Sequence, residues 1–401
     1  MIPQRRFTEL AAVGAAALFL LAWAAVHVGW YDEAEIVDTP VYATYGNAIE
    51  DRALPYRDFE PEYPPGALPA FVVPSLLSDG DRGFRTAFEW SMAACGVGAV
   101  LLAALALGGL GASRGRTLAA LGVVAGFPLL LGSVVLTRFD LYPAVLVVAG
   151  LAALVHGRDR LGSVLLGGAV AVKLYPAVLL PLAIGYVWRR RGRTEALTCL
   201  AVAVLVVAAA FLPFLVLAPG GVAHSIGHQL SRPLQIESLG SGIFLAAHHL
   251  LGLDVEVRSG HGSQNLHATG TAAAAVVLSA LQVLALVWIW LRRPGTPEEL
   301  LRWSAAALVA FVALGKVLSP QFLIWLAPVV PLVAGRRGLH ASLLLAASLV
   351  LTQLWFPSRY WDLARELALL PSALVLVRDL ALLGVLALLV RDSRPAPARS
   401  S

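Results

Sequence analysis

The chain has 401 residues, of which 58% are hydrophobic and 14% charged, with a formal net charge of +5. A soluble chain carries about 25% charged residues, and disordered, collagen-like, coiled-coil or disulfide-stapled secreted chains differ from this composition in other ways. The apolar content suffices for about a dozen spans of about 20 residues, so the expected fold class is an all-α polytopic membrane protein with about 12 transmembrane helices and two long extracytoplasmic loops.

In chain order, the first apolar run covers 10–28 and is long enough to be a retained helix, although Ala22-Trp23-Ala24 resembles a cleavage box. A polar loop, 29–86, separates it from runs at 87–110 and 117–136, with Arg114 and Arg116 in the turn between them. Arg138 and Asp140 precede a run at 141–156. Residues 161–188 have arginines at both flanks and Lys173 in the middle. One span cannot keep both flanks on the same side, so the segment reads as a hairpin of two short helices. A run at 196–217 leads to a second long loop, 218–270, and further spans are expected at 271–291, 300–318, 320–335, 339–356 and 373–390. The proline-rich basic tail, 391–401, reads as a disordered cytoplasmic extension. The whole chain, 1–401, forms a single transmembrane domain.

The basic residues mark the orientation. Only Lys173 and Lys316 are lysines, and most arginines cluster between apolar runs, as at Arg5-Arg6, Arg158 with Arg160, Arg189-Arg190-Arg191, Arg292-Arg293 and Arg336-Arg337. This is the positive-inside pattern of a multi-pass cell-membrane protein and not a stripe that tracks phosphates, so no nucleic-acid partner is expected. With both termini cytoplasmic, loops 29–86 and 218–270 face outward. The first holds eleven acidic residues, including Asp32, Glu33, Glu35 and Asp58, and the second holds six of the nine histidines. Within the second loop, 243–253 is apolar but short, as in an interfacial helix. Polar chemistry is thus concentrated at one membrane face.

Charged side chains beside or within spans cost about 2.5–3.5 kcal/mol each at a helix centre, which singles out Lys173, Lys316 and the Arg138/Asp140 step. Each alone is compatible with snorkelling. Both lysines fall at outer span ends, against the positive-inside rule, and this points to an anion such as a lipid phosphate. Asp38 is placed to serve either as the N-cap of a helix opened by Thr39-Pro40 or as a general base for an acceptor hydroxyl. Asp79-Gly80-Asp81 matches a metal-binding acid pair but is also ordinary turn sequence. His224 and His228 have metal-ligand spacing without an evident third ligand, His248 and His249 are adjacent, and Cys95 and Cys199 are far apart. Phosphate-loop, dinucleotide-fold, zinc-protease and serine-hydrolase motifs do not occur.

The ordered set Asp38-Thr-Pro-Val-Tyr42, Tyr45-Gly46, Leu54-Pro-Tyr-Arg57-Asp58-Phe59, Glu62-Tyr63-Pro-Pro-Gly66, Arg138-Phe-Asp140, Lys173-Leu-Tyr-Pro176, Arg232-Pro-Leu-Gln235-Ile-Glu237-Ser238 and Ser319-Pro-Gln321 covers most of the chain. It resembles the bacterial polyprenol-phosphate-sugar-dependent glycosyltransferases of family 87, which include α-1,2-mannosyltransferases. Beyond Gln321 the resemblance carries little motif. It implies a GT-C fold and an inverting transfer of a monosaccharide, with mannose the best-known donor sugar, from a polyprenyl-phosphate donor to a glycolipid or envelope glycan acceptor at the outer bilayer face. Asp38 matches the activating acid of the first outer loop. Lys173, Arg232, Arg138 and Lys316 are the implied partners of the donor phosphate. Tyr42, Tyr45, Asp58, Tyr63, Asp140, Gln235, Glu237, His249 and Gln321 are candidates for binding sugar or acceptor. No metal and no cofactor are expected, because cationic side chains can stabilise the leaving phosphate. The main rival is a transporter or flippase of a lipid-linked substrate, for which polar or broken-helix features near mid-membrane are expected. A non-catalytic scaffold for envelope assembly is the third reading.

Overall fold

The structure, a computed structural model, describes residues 3–28 and 36–391. Asp32, Glu33, Glu35 and the tail beyond Arg391 lie outside the described residues. Among those described, eighteen α-helical segments and one two-stranded antiparallel hairpin form the chain, so the expected all-α class is observed. Six helices are long and apolar enough to cross a bilayer: Gln4–Ala25, Gly80–Gly109, Arg114–Leu131, Arg193–Leu217, Thr271–Trp290 and Leu369–Val390. The remaining expected spans fall on shorter or broken helices and on the 19-residue, less apolar helix Gly335–Gln353.

The clearest break falls where a span over 320–335 is expected. Pro320–Phe322 and Val330–Leu332 are short 3-10 turns around the four-residue helix Leu323–Leu326. Pro320, Pro328 and Pro331 each lack the amide hydrogen that a continuous helix needs. Residues 322–333 are almost entirely buried against neighbouring helices, as irregular backbone at membrane depth requires.

The hairpin expected at 161–188 is present. Helix Asp159–Val172 ends at Lys173, whose backbone is extended, a 3-10 turn Tyr175–Leu179 follows, and Leu180–Arg191 returns. Pro176 and Pro181 fit the turn and the first turn of the returning helix, where a missing amide hydrogen costs nothing. The segment 29–86, expected as a loop, is largely structured. It contains helices Thr39–Glu50 and Pro69–Leu76, and Gly80–Gly109 takes its last residues. Segment 218–270 likewise folds into Pro219–Leu230, Leu239–Leu251 and the hairpin Glu256–Gly260 with Ser263–His267.

Side-chain contacts divide the molecule into two ends. At one end Gln4 Nε2 donates to the Ala112 carbonyl, Arg116 pairs with Glu298, Arg189 donates to the Arg293 carbonyl, Arg190 and Arg191 face Asp159, and Arg302 donates to the Leu389 carbonyl. The arginine clusters thus share that end. Asp38, Arg138, Asp140, Lys173, Gln235 and Ser319 meet at the other. Helix Gln4–Ala25 packs against Gly80–Gly109 and Arg114–Leu131 as part of the bundle.

Candidate active site

Asp38 occupies the N-cap position of helix Thr39–Glu50, yet its side chain makes no capping hydrogen bond. The carboxylate turns toward Arg138 and forms an ion pair with its Nη1, while the Tyr42 hydroxyl donates to it at 3.3 Å. Arg138 is buried and also donates through Nη2 to the Ile36 carbonyl at 3.2 Å, holding the stretch of chain that leads into Asp38. The Asp38 side chain keeps 32% of its surface exposed, so a second molecule can reach it.

Two residues beyond Arg138, Asp140 is almost fully buried and accepts from Lys173 Nζ and from Trp325 Nε1, each at 2.6 Å. The Lys173 ammonium lies 4.7 Å from the Phe139 ring centre and 5.2 Å from that of Trp325. A cation over aromatic faces keeps its charge at lower desolvation cost. Trp325 stacks on Tyr175 at 3.9 Å and on Phe322 at 4.1 Å. Phe139 links the two ion pairs: Tyr42 meets it edge-on at 5.7 Å and Tyr63 at 4.7 Å.

The third part of the cluster is the turn 231–238. Gln235 Nε2 donates to the Glu237 carboxyl and, at 2.9 Å, to Ser319 Oγ, while the Gln235 amide donates to the Lys316 carbonyl at 3.0 Å. Lys316 Nζ in turn donates to the Leu230 carbonyl at 3.0 Å. Burial pushes the Glu237 carboxyl up to about 8, against the opposing pull of Arg378, Arg138 and Arg232. Burial also lowers the Arg232 guanidinium from its ordinary value, and the Glu62 and Glu237 carboxylates act against that shift. Among the described residues, Arg232 Nε is buried without a hydrogen-bond partner.

Not every candidate belongs to this cluster. Asp58 is bound to its own turn, accepting from the Leu54 amide at 2.8 Å and from Arg57, whose guanidinium beside it brings the carboxyl down to about 2. Tyr45 stacks on Phe59 at 5.7 Å. His249 lies ten residues into helix Leu239–Leu251, about 15 Å along its axis from the Glu237 turn. Gln321 sits partly exposed beside Pro320. Lys173 and Arg138, expected as donors to a phosphate, are each already paired with a carboxylate.

The structure adds residues that the sequence reading does not single out. Trp325 and Phe322 join Phe139 and Tyr63 around Lys173, with Tyr175 of the Lys173-Leu-Tyr-Pro176 motif stacked on Trp325, and Tyr360 and Arg378 approach Glu237 from the C-terminal helices. The aromatic residues sit in apolar segments, where nothing distinguishes a site wall from core. Arg378-Asp379 does carry a signal, two charges in the middle of an apolar run.

A multi-pass helical bundle with paired acids and bases gathered among aromatic rings, at the end opposite its arginine clusters, defines a membrane protein with a buried polar cluster at one end. The sequence model of glycosyltransferase family 87 matches residues 62–320, well over half of the chain, and the protein belongs to that family. It is a membrane glycosyltransferase, which decides between the transferase and transporter readings. No curated protein matches the chain. Among solved structures, the apo crystal structure of ArnT from Cupriavidus metallidurans is similar at a TM-score of 0.46 and 14% identity, covering 94% of this chain and 76% of that one.

Proposed function

We propose that the protein transfers a monosaccharide, with mannose the first to test, from a polyprenyl-phosphate donor to a glycolipid or glycan acceptor, with inversion at the anomeric carbon. By the positive-inside rule the arginine-rich end and both termini are cytoplasmic and the site is extracytoplasmic. The observation that carries the mechanism is the Asp38 side chain, which makes no capping bond and instead pairs with Arg138 while remaining accessible.

In this reading Asp38 accepts the proton of the acceptor hydroxyl as that oxygen forms a bond to the anomeric carbon. The bond between that carbon and the lipid-phosphate oxygen breaks, and its electron pair leaves with the phosphate. Arg232 is the first candidate to meet this charge, because its Nε is buried and unpartnered. Lys316 stands at the rim beside it. Arg138 and Lys173 supply positive potential from within their ion pairs. In the same reading Gln235 and a neutral Glu237 hydrogen-bond sugar hydroxyls, and Tyr42 and Tyr63 pack against the ring.

The test is sugar transfer by purified wild-type and Asp38→Asn protein in lipid nanodiscs, supplied with polyprenyl-phosphate mannose and a mixed glycolipid acceptor pool. The carboxamide oxygen of the variant can still accept from Arg138, so folding and donor binding are expected to persist while transfer falls by at least about 10²-fold. Equal transfer by both proteins moves the base elsewhere, with Glu237 and Asp140 next in line. Absence of transfer and of lipid-donor binding in the wild type overturns the donor class.

A further inference from the structure

The last long helix carries a charged pair with no role in the transfer chemistry above. Arg378 and Asp379 are adjacent within Leu369–Val390, both are 0% exposed, and Arg378 Nε meets Asp379 Oδ1 at 2.6 Å. Desolvating two charges costs several kcal/mol per ion, and apolar residues of similar size pack a helix without that cost. The pair therefore asks for a use beyond packing. Its outward bond supplies a candidate: Arg378 Nη2 donates at 2.7 Å to the Glu237 carbonyl.

That bond completes the support of the 231–238 turn. On one side the turn lies along strand Ser263–His267, with the Ile236 amide donating to the Gln264 carbonyl at 3.0 Å and the Leu266 amide to the Leu234 carbonyl at 2.9 Å. Just beyond the turn, Ser241 Oγ donates back to the Gln235 carbonyl at 2.7 Å. Arg378 ties the turn to the last helix, and its guanidinium lies 5.8 Å from the Trp355 ring centre, which limits its own movement. Asp379 holds Arg378 from its other edge. Arg378, Asp379 and Trp355 all lie beyond residue 320, outside the matched family stretch.

We propose that Arg378 is a positioning residue for the donor site: it fixes the Glu237 turn, and with it Arg232 and Gln235, against the bundle, and it supplies counter-charge to the Glu237 carboxyl. The proposal rests on the reading of Arg232 and Glu237 as donor-binding residues. The groups facing Glu237 are Arg378, Arg138 and Arg232, whose charges favour its ionised form, Asp379, which opposes it, and Gln235 and Tyr360. Loss of the Arg378 charge is therefore felt directly at Glu237.

The experiment compares wild type, Arg378→Lys and the doubly apolar R378M/D379L in nanodiscs. The double variant removes the whole buried pair and so avoids stranding one charge, which protects the fold. Hydrogen exchange of the 232–238 amides is expected to rise in R378M/D379L while the long helices keep wild-type protection. With polyprenyl-phosphate mannose as donor, its KM is expected to rise about tenfold with a smaller change in kcat. In Arg378→Lys, which retains the charge, the alkaline limb of the pH profile is expected to stay in place. A folded R378M/D379L with wild-type exchange at 232–238 overturns the proposal. If the wild type neither binds nor transfers the lipid donor, the donor reading falls, and the exchange data still decide whether Arg378 positions the turn.

Discussion

Asp38 and Arg138 form an ion pair whose two members are unequally sheltered: 6% of the Arg138 side chain is exposed, against 32% for Asp38. Removing the carboxylate leaves a buried cation unpaired, whereas removing the guanidinium leaves an acid that water can still reach. Asp38→Ala is accordingly expected to destabilise by about 3 kcal/mol and Arg138→Met by less, read as thermal midpoints in detergent. Glu237 sets a pH dependence of its own. Its carboxyl titrates near 4.5 when free and at about 8 in the folded chain, so the stability it contributes is full below pH 4.5 and is lost as pH rises through 8. The same ionisation places a carboxylate beside Arg232 and Arg138, where it competes with a lipid phosphate. Binding of polyprenyl phosphate is expected to weaken between about pH 7 and pH 9, and Glu237→Gln to flatten that dependence. A wild-type affinity independent of pH over this range separates Glu237 from the phosphate site.

Short elements with tight joints place these residues. The end of helix Asp159–Val172 meets the first segment at Gly66, where an added Cβ would come within 2.5 Å of the Ala171 carbonyl. That contact is with backbone, so it cannot be relieved by a rotamer change. Gly66→Ala is expected to cost about 1–3 kcal/mol and to lower transfer more than this loss explains, because it pushes Tyr63 and Lys173 apart. Full activity at an unchanged thermal midpoint would show that the joint has slack. The broken segment 320–332 serves the site in a different way. Its turns present Ser319 to Gln235, and Phe322 and Trp325 to Lys173, from a stretch only a few residues long. A straight helix would spread those side chains around its axis at about 100° per residue.

At the scale of the whole molecule, the arginine-rich end and the site end are opposed, and topology follows from which faces the cytoplasm. With Cys95 and Cys199 replaced, single cysteines at positions 57 and 260 are expected to react with a membrane-impermeant thiol reagent in intact cells, and one at 191 only after permeabilisation. The reverse pattern inverts the assigned orientation. Much of this architecture is legible in the sequence, because a lone Lys173 between arginine flanks can be accommodated only by turning the chain back. Arg138 and Asp140 stand out for the same reason, as charges beside an apolar span, whereas Asp38 is marked by its place in the first loop and Gln235 and Glu237 only by the family resemblance. Trp325 and Phe322 do not stand out, since an aromatic ring has the same hydropathy in a site wall as in a core. Arg378 and Asp379 receive no assignment from the sequence because their partner, the Glu237 turn, is 141 residues away in the chain. The segment 320–332 reads as a span by apolar content, and only its prolines mark the breaks.

The shortage of lysine has a practical consequence. Lys173 is enclosed by Asp140 and four aromatic rings, and Lys316 stands half-open at the rim beside Arg232. These are the only side-chain amines in the chain. Acylation with an amine-reactive reagent followed by peptide mass spectrometry therefore reads this one region with almost no background. Lys316 is expected to acylate readily and Lys173 slowly, and a bound lipid phosphate to protect Lys316. The protein thus carries a two-point chemical footprint of its own occupancy, with one amine half-open to solvent and one enclosed.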